Sequence, residues 1–207
     1  MIKLVIFDFD GTLFDTKAFI KKYLKKRLKP FGIPTETEKQ FQNIYLVNFY
    51  ETMKKYGATG KDIARFKKMS ILLRSRQAPH VKAFPFISNA LKQLKKTAKI
   101  AVISSSFTKP IKISMKANKI LKYFDFILGA EKEENKVKKI NAAMKRCKAK
   151  PSETVYVGDT VGDVIEAKKA KVRAVAAAWG FHPKKLLKKA KPYMILTNPK
   201  QLIRVLK

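Results

Sequence analysis

Short apolar runs alternate with stretches of helical periodicity along most of the chain. Six runs have the length and the β-branched or aromatic content of strands, and they cover residues 4–7, 100–103, 126–128, 155–157, 172–176 and 193–196. Helical patterns fill most of the intervals between them. This alternation is typical of a parallel sheet with crossover helices, so the pattern predicts an α/β fold with a Rossmann-like sheet.

Two of the helical patterns are specific enough to place. Ile140, Ala143, Met144 and Cys147 recur at the spacing of an amphipathic helix packed on a sheet. We expect Cys147, the single cysteine, to be a buried free thiol. Near the end of the chain, Thr197-Asn198-Pro199 offers helix-starting residues, so we predict a closing helix that uses Leu202, Ile203 and Leu206.

One long stretch interrupts the alternation directly after the first strand. Residues 17–83 have helical patterning and glycine or proline turn signals, but no convincing strand. The sequence therefore predicts an α/β core formed by residues 1–16 and 84–207, with residues 17–83 as a small helical insertion.

The composition agrees with a globular protein. Of 207 residues, 46% are hydrophobic and 30% are charged. The apolar runs fall well short of the roughly 20 residues that a membrane-spanning helix needs. The chain passes from Met1 directly into the first strand pattern without a signal-peptide cleavage site, so we expect a cytoplasmic protein without a membrane partner. Nothing in the sequence indicates an oligomeric state.

The formal net charge of +32 raises the possibility of a nucleic-acid partner. The lysines are, however, spread through nearly every segment, on what would be solvated helix faces. No interleaving of basic and aromatic residues indicates a platform for stacking bases. A lysine-rich composition is therefore the simpler explanation, and nucleic-acid binding remains an alternative.

Two carboxylates follow the first strand. Asp8 and Asp10 lie at positions i and i+2, which point the same way in an extended chain, and Gly11 allows a sharp turn behind them. Two acids in one site repel each other unless a cation or a shared proton intervenes. An EF-hand loop does not fit, because the glycine follows the second acid immediately and the later bidentate glutamate is missing. The pair predicts a divalent-metal site.

A second pair of acids follows the strand at 155–157. Asp159 and Asp163 are one helical turn apart and can point at one ion if a helix begins there, although either could simply cap that helix. Carboxyl ends of parallel strands share one edge of the sheet, where ligands bind in open α/β folds. We therefore expect both acidic pairs to meet.

Weaker signals add candidates for binding phosphate. Ser104-Ser105-Ser106 follows the strand at 100–103 and offers hydroxyl and backbone N–H donors. A phosphate site also needs a fixed positive charge, and Lys136, ahead of the amphipathic helix, is the candidate, with Lys132 as its rival.

Together these residues resemble the haloacid dehalogenase-like superfamily, in particular its phosphatases of the phosphoglycolate phosphatase type. The resemblance covers nearly the whole chain and is carried by the segments Asp8-Phe9-Asp10-Gly11-Thr12-Leu13, Gly158-Asp159 with Asp163, and Ala178-Trp179-Gly180-Phe181. Ser104 and Lys136 match the second and third motifs. A proline commonly follows the third-motif lysine in the family, whereas Val137 stands here.

The resemblance implies a Mg²⁺-dependent phosphatase. Asp8 would be the nucleophile and Asp10 the acid/base. Ser104, Ser105 and Lys136 would bind the phosphate ester, and Asp8, Asp10, Asp159 and Asp163 would hold Mg²⁺. The insertion after the first motif would be the family's small cap, and phosphoglycolate is the leading substrate.

Three alternatives stay open. A phosphomutase or nucleotidase of the same superfamily would share Asp8 and Asp10. The charge leaves room for a polynucleotide phosphatase. A receiver-type phospho-acceptor module fits less well, because its acceptor stands alone on a middle strand. Arg65, Arg74, Arg76 or a lysine of the insertion could contact a substrate carboxylate, but each arginine is interpreted first as a surface charge. His80 and His182 are interpreted as exposed loop residues, although His182 follows the Trp179-Gly180 turn and could approach the site.

Overall fold

The fold is described from a computed structural model, over residues 1–131 and 133–206. The strands are β1 (Leu4–Phe7), β2 (Lys99–Ile103), β3 (Phe126–Leu128), β4 (Thr154–Gly158), β5 (Arg173–Ala177) and β6 (Met194–Leu196). The α-helices are α1 (Lys17–Leu28), α2 (Glu38–Asn43), α3 (Phe49–Lys55), α4 (Gly60–Gln77), α5 (Ile87–Leu94), α6 (Thr108–Ala117), α7 (Lys136–Cys147), α8 (Val161–Lys169) and α9 (Lys184–Lys189). A 3₁₀ helix, Pro199–Leu206, follows β6.

The six strands form one parallel sheet in the order β3-β2-β1-β4-β5-β6. This is the strand order of the doubly wound dinucleotide-binding fold, in which the chain starts in the middle of the sheet and extends it in both directions. The predicted α/β class and parallel sheet are confirmed, with no strand end displaced by more than one residue.

The sheet is covered on both faces because alternate side chains of β1 point to opposite sides. Val5 and Phe7 join a core cluster with α5, α6 and the closing 3₁₀ helix, whereas Leu4 and Ile6 pack with α7, α8 and α9. All four residues of β1 are buried, as expected of a central parallel strand.

The stretch from residue 17 to residue 83, every residue of which is described, holds α1 to α4 and none of the six strands. Its helices pack around a third apolar cluster that includes Leu24, Phe41 and Met53. Phe181, from the loop after β5, also belongs to this cluster, so the insertion packs against the loops at one edge of the sheet.

The end of the chain differs from its prediction. A 3₁₀ helix has three residues per turn, so Pro199, Leu202 and Val205 share its buried face, and the side chain of Ile203 is 37% exposed. Cys147, the last residue of α7, is half-buried rather than buried. In the described part of the chain, no helix is long and apolar enough to cross a membrane.

Candidate active site

The two acidic pairs meet where the carboxyl ends of β1 and β4 lie side by side. β1 pairs with β4 along its whole length, and the ladder continues as the Asp8 N–H donates to the Val157 carbonyl at 2.8 Å. Gly11 turns the chain behind the acids with a φ of +76°, and a Cβ there would lie 2.2 Å from Asp159 Oδ2. A side chain at this position would therefore collide with the second acidic pair.

Three carboxylates form one compact group. Asp8, Asp159 and Asp163 each present an oxygen within 4.8 Å of the others, and all three residues are buried. Asp10, which the sequence also placed among the metal ligands, directs its carboxylate to Ser106 and Arg74 instead. The structure thus brings three of the four predicted metal ligands together through their side chains.

Lys136 provides the positive charge beside this group. It is the first residue of α7, and its Nζ donates to Asp8 Oδ1 at 2.8 Å and to Asp163 Oδ1 at 2.6 Å. The side chain is 8% exposed, so the ammonium is held in the site and not in solvent. Its rival Lys132 lies outside the described residues.

Asp163 caps α8, which is one of the two roles that the sequence left open, and its other oxygen belongs to the acidic group. Its Oδ2 accepts hydrogen bonds from the Thr160 N–H and hydroxyl, which caps α8, while Oδ1 accepts from Lys136 and from the Tyr156 hydroxyl. Asp159 precedes the helix, and its two oxygens accept from the Thr12 hydroxyl and the Phe181 N–H. Both carboxylates are consequently fixed in place.

The charges of the three carboxylates favour the binding of another cation beside Lys136. Burial, with the charge of Asp163 and against the pull of Lys136, raises the pKa of Asp8 to about 7. Burial and the charges of Asp163 and Asp8 raise the pKa of Asp159 well above its usual value. Burial would raise the pKa of Asp163 too, but Lys136 holds it below the ordinary value. One ammonium does not compensate three buried carboxylates, and oxygen ligands of this kind suit Mg²⁺.

The carboxylate of Asp10 has its hydrogen-bond partners outside this group. Its Oδ2 accepts from the Ser106 hydroxyl at 2.5 Å, and its Oδ1 accepts from Arg74 Nη2 at 2.5 Å. Arg74 belongs to α4 of the insertion, and its side chain is 15% exposed. The interpretation of Arg74 as a surface charge is therefore wrong.

The serine run lies at the same edge of the sheet. The Ser104 hydroxyl accepts from the Ser106 N–H, and the Ser105 carbonyl accepts from the Tyr50 hydroxyl at 3.1 Å. A second buried lysine, Lys139, donates to the Ser104 carbonyl at 2.6 Å and ties the loop to α7. The serine that reaches Asp10 is thus Ser106, which the sequence did not single out.

These side chains line a single cleft between the sheet edge and the insertion, with about 750 Å³ of empty space including its open mouth. The sheet side is polar and includes Asp8, Asp10 and Lys136. The insertion side is mainly aromatic and apolar, with Arg74 as the charged exception. Its lining there includes Ile20, Tyr23, Leu24, Tyr45, Phe49, Tyr50 and Phe66.

Polar contacts close the insertion over the cleft. The Gly162 N–H donates to the Tyr45 carbonyl at 3.1 Å, and Asn48 Nδ2 donates to Glu166 at 3.1 Å. His182 is fully buried, which contradicts its interpretation as an exposed loop residue. Its Nδ1 accepts from the Val161 N–H at 2.9 Å, and its Nε2 lies 2.8 Å from the Gln42 carbonyl.

Comparison with known proteins agrees with this geometry. Residues 5–177 match the model of the haloacid dehalogenase-like hydrolase family. This chain belongs to that family. Among curated relatives, it is 26% identical to pyrophosphatase PpaX of Oceanobacillus iheyensis, over 99% of this chain and 96% of the relative. It is 23% identical to a phosphoglycolate phosphatase of Synechococcus elongatus, over 98% and 96%.

The fold is also found among solved structures. A haloacid dehalogenase-like family hydrolase from Streptococcus pneumoniae superposes with a TM-score of 0.80 and 21% identity, over 100% of this chain and 99% of the other. The expectation of a phosphatase of the haloacid dehalogenase-like superfamily is confirmed at this level.

Proposed function

We propose that the protein is a Mg²⁺-dependent phosphohydrolase that acts on a small phosphorylated metabolite through an aspartyl-phosphate at Asp8. The observation that carries the proposal is the position of Asp8. It is a buried carboxylate at the end of β1, 2.8 Å from the ammonium of Lys136 and within 4.8 Å of Asp159 and Asp163. A nucleophilic carboxylate needs such a cationic setting to approach an anionic ester.

In the first step, Asp8 attacks phosphorus and the bond from phosphorus to the leaving oxygen breaks. Asp10 gives its proton to that oxygen. In the second step, Asp10 takes a proton from a water molecule, which attacks phosphorus and releases phosphate and free Asp8. Each proton that Asp10 loses in the first step is thus recovered in the second.

The remaining polar groups hold the phosphoryl oxygens. We assign Lys136, Ser104 and Ser105 to this role, with Asp8, Asp159 and Asp163 as the carboxylates that hold Mg²⁺. The bound ion would supply positive charge to the phosphoryl oxygens. Thr12 and Thr160 keep the acids oriented through their hydrogen bonds.

We assign residues 17–83 to a cap over the core formed by residues 1–16 and 84–207. Contacts such as Gly162 to Tyr45 close the cleft, and a closed cleft keeps water from the phosphoryl group during the first step. We place the protein in the cytoplasm.

Phosphoglycolate is the leading substrate, because the motifs are of that type and one curated relative is a phosphoglycolate phosphatase. Other relatives are pyrophosphatases, which adds pyrophosphate as a competitor. Phosphomutase and nucleotidase activities would use the same Asp8 and Asp10.

A substrate panel tests the proposal. Phosphate release is measured with phosphoglycolate, pyrophosphate, sugar phosphates, nucleotides, a 5′-phosphorylated oligonucleotide and an aryl phosphate, each with Mg²⁺ and with a chelator. We expect Mg²⁺-dependent release that Asp8→Asn abolishes. Release from no compound, or wild-type release by the Asp8→Asn variant, would contradict the proposal.

A further inference from the structure

Arg74 is a buried cation on the insertion side of the cleft. Its guanidinium contacts Asp10 at 2.5 Å, and its side chain is only 15% exposed among aromatic neighbours such as Tyr23 and Tyr45. Removing a guanidinium from water is costly. Arg76, two residues further along α4, is exposed, so burial at position 74 depends on which face of the helix points into the cleft.

Fold stability does not account for this arginine. A buried ion pair contributes little compared with an apolar pair of similar volume, because the desolvation of both charges offsets their attraction. Arg74 belongs to a side of the cleft that is otherwise mainly aromatic and apolar, with residues such as Ile20 and Leu24 in the lining. A guanidinium here is therefore better explained by something that enters the cleft.

The two cations that line the cleft come from different sides of it, Lys136 from α7 and Arg74 from α4 of the insertion. Lys136 pairs with Asp8 and Asp163, on the side where the phosphoryl group is transferred. Arg74 pairs with Asp10, which has to reach the leaving oxygen. Arg74 therefore lies where it can contact the part of the substrate that is attached to the leaving oxygen.

We propose that Arg74 is a specificity-determining residue that binds a second anionic group of the substrate, on the leaving-group side of the scissile bond. This inference rests on the proposed phosphohydrolase function. The guanidinium has five N–H donors in a planar fork that matches a carboxylate or a phosphate, and its bond to Asp10 uses one nitrogen.

The contact between Arg74 and Asp10 also limits the length of the leaving group. A guanidinium within hydrogen-bonding distance of Asp10 can contact an anionic group about one to three atoms beyond the oxygen that Asp10 protonates, because each of these hydrogen bonds spans only about 3 Å. The preferred leaving groups are therefore short anions, such as a 2-hydroxycarboxylate or inorganic phosphate itself. Long or neutral alcohols do not use this contact.

A matched pair of esters tests the inference on the unaltered protein. Phosphoglycolate and 2-hydroxyethyl phosphate differ only in whether the leaving group carries a carboxylate or a neutral alcohol. We expect kcat/KM to favour phosphoglycolate by about 10- to 100-fold, the range that one charged hydrogen bond provides. If the leaving group of the natural substrate is a phosphate rather than a carboxylate, pyrophosphate replaces phosphoglycolate as the anionic substrate in this comparison.

Variants assign the preference to Arg74. In Arg74→Gln we expect the ratio of kcat/KM between the anionic ester and 2-hydroxyethyl phosphate to fall toward one. Arg76→Gln removes the same charge from the exposed face of α4, and it should keep the wild-type ratio. If Arg74→Gln lowers this ratio only for phosphoglycolate, the group that Arg74 binds is a carboxylate. If the variant lowers it only for pyrophosphate, the group is a phosphate.

The ratio separates recognition from a general effect on Asp10. Equal losses with charged and neutral substrates in Arg74→Gln would overturn the inference, as would a wild-type protein that does not distinguish the two esters. The comparison of the two esters uses only the wild-type protein, so the inference can be contradicted even if Arg74→Gln does not fold. If no ester at all is hydrolysed, the proposed function fails and this inference fails with it; hydrolysis without charge preference contradicts the inference alone.

Discussion

The ammonium of Lys136 lies between two carboxylates, 2.8 Å from Asp8 Oδ1 and 2.6 Å from Asp163 Oδ1. Asp163 also caps α8 through its other oxygen. Its carboxylate thus bonds to both the start of α8 and Lys136, and Lys136 in turn contacts the proposed nucleophile. The charge that favours attack on phosphate is thus fixed by elements of the fold rather than by a mobile loop.

The first prediction concerns this lysine. Lys136→Met removes the ammonium but keeps most of the apolar stem, so Asp8 loses the charge that favours its ionised form. We expect kcat to fall by about 10²- to 10³-fold, as when one fixed donor to a transition state is removed. Lys138→Met is the control, because Lys138 lies on the same helix with its side chain 72% exposed. Equal kcat values for both variants would contradict the assigned role.

The second prediction uses the leaving group to identify Asp10. An aryl phosphate has a leaving group that departs without a proton, whereas an alkyl phosphate needs one. Asp10→Asn should therefore slow the first step by about 10²- to 10⁴-fold with alkyl esters and far less with aryl esters. With the aryl ester, the second step becomes limiting, so rapid mixing should show a burst of the aryl alcohol. If the rate of the first step falls equally for alkyl and aryl esters, Asp10 is not the acid.

The third prediction concerns pH and metal binding. In the metal-free protein the pKa of Asp8 is about 7, so the carboxyl takes up a proton as the pH falls below 7. A cation that binds there competes with this proton. Proton uptake by Asp8 should therefore lower the affinity for Mg²⁺ by up to about tenfold per pH unit below 7.

Calorimetric titration with Mg²⁺ at pH 6 and pH 8 measures this dependence. At pH 6, the heats in two buffers of different ionisation enthalpy should differ, because binding releases a proton. Equal affinities at the two pH values, with no release of protons, would remove Asp8 from the ligands.

The fourth prediction concerns His182, which joins the start of α8 to the insertion. His182→Ala leaves the Val161 N–H without its partner and creates a cavity, whereas the Gln42 carbonyl keeps its hydrogen bond from the Tyr45 N–H. We expect the free energy of unfolding to fall by about 2–4 kcal/mol. His80→Ala, at an exposed position, should stay within about 0.5 kcal/mol. Urea denaturation measures both, and a similar small change in each would show that the buried contacts contribute little.

The sequence predicts the sheet and the first acidic pair well because both depend on local patterns. β1 is apolar throughout and is followed at once by Asp8 and Asp10, so strand and site are adjacent in the chain. Among many lysines, the place of Lys136 before an amphipathic helix favours it as the phosphate-binding cation, and the structure puts it beside Asp8.

The residues that sequence reasoning misread owe their positions to packing between distant segments. Arg74 and His182 look like surface residues until α4 and the loop after β5 are placed over the sheet edge. The contact between Ser106 and Asp10 likewise depends on the turn after β2, in which the Ser106 N–H donates to the Ser104 hydroxyl. Periodicity carries no information about such contacts.

The most direct test of the account is detection of a phosphoryl group on Asp8. Wild-type protein and the Asp10→Asn variant are mixed with an aryl phosphate and Mg²⁺, quenched in acid within the burst, digested and analysed by tandem mass spectrometry. We expect phosphorylation of the peptide that contains Asp8, at Asp8 itself, with more in Asp10→Asn than in wild type and none in Asp8→Asn. Product release within the burst without phosphorylation at Asp8, or with the phosphoryl group on another residue, would contradict it.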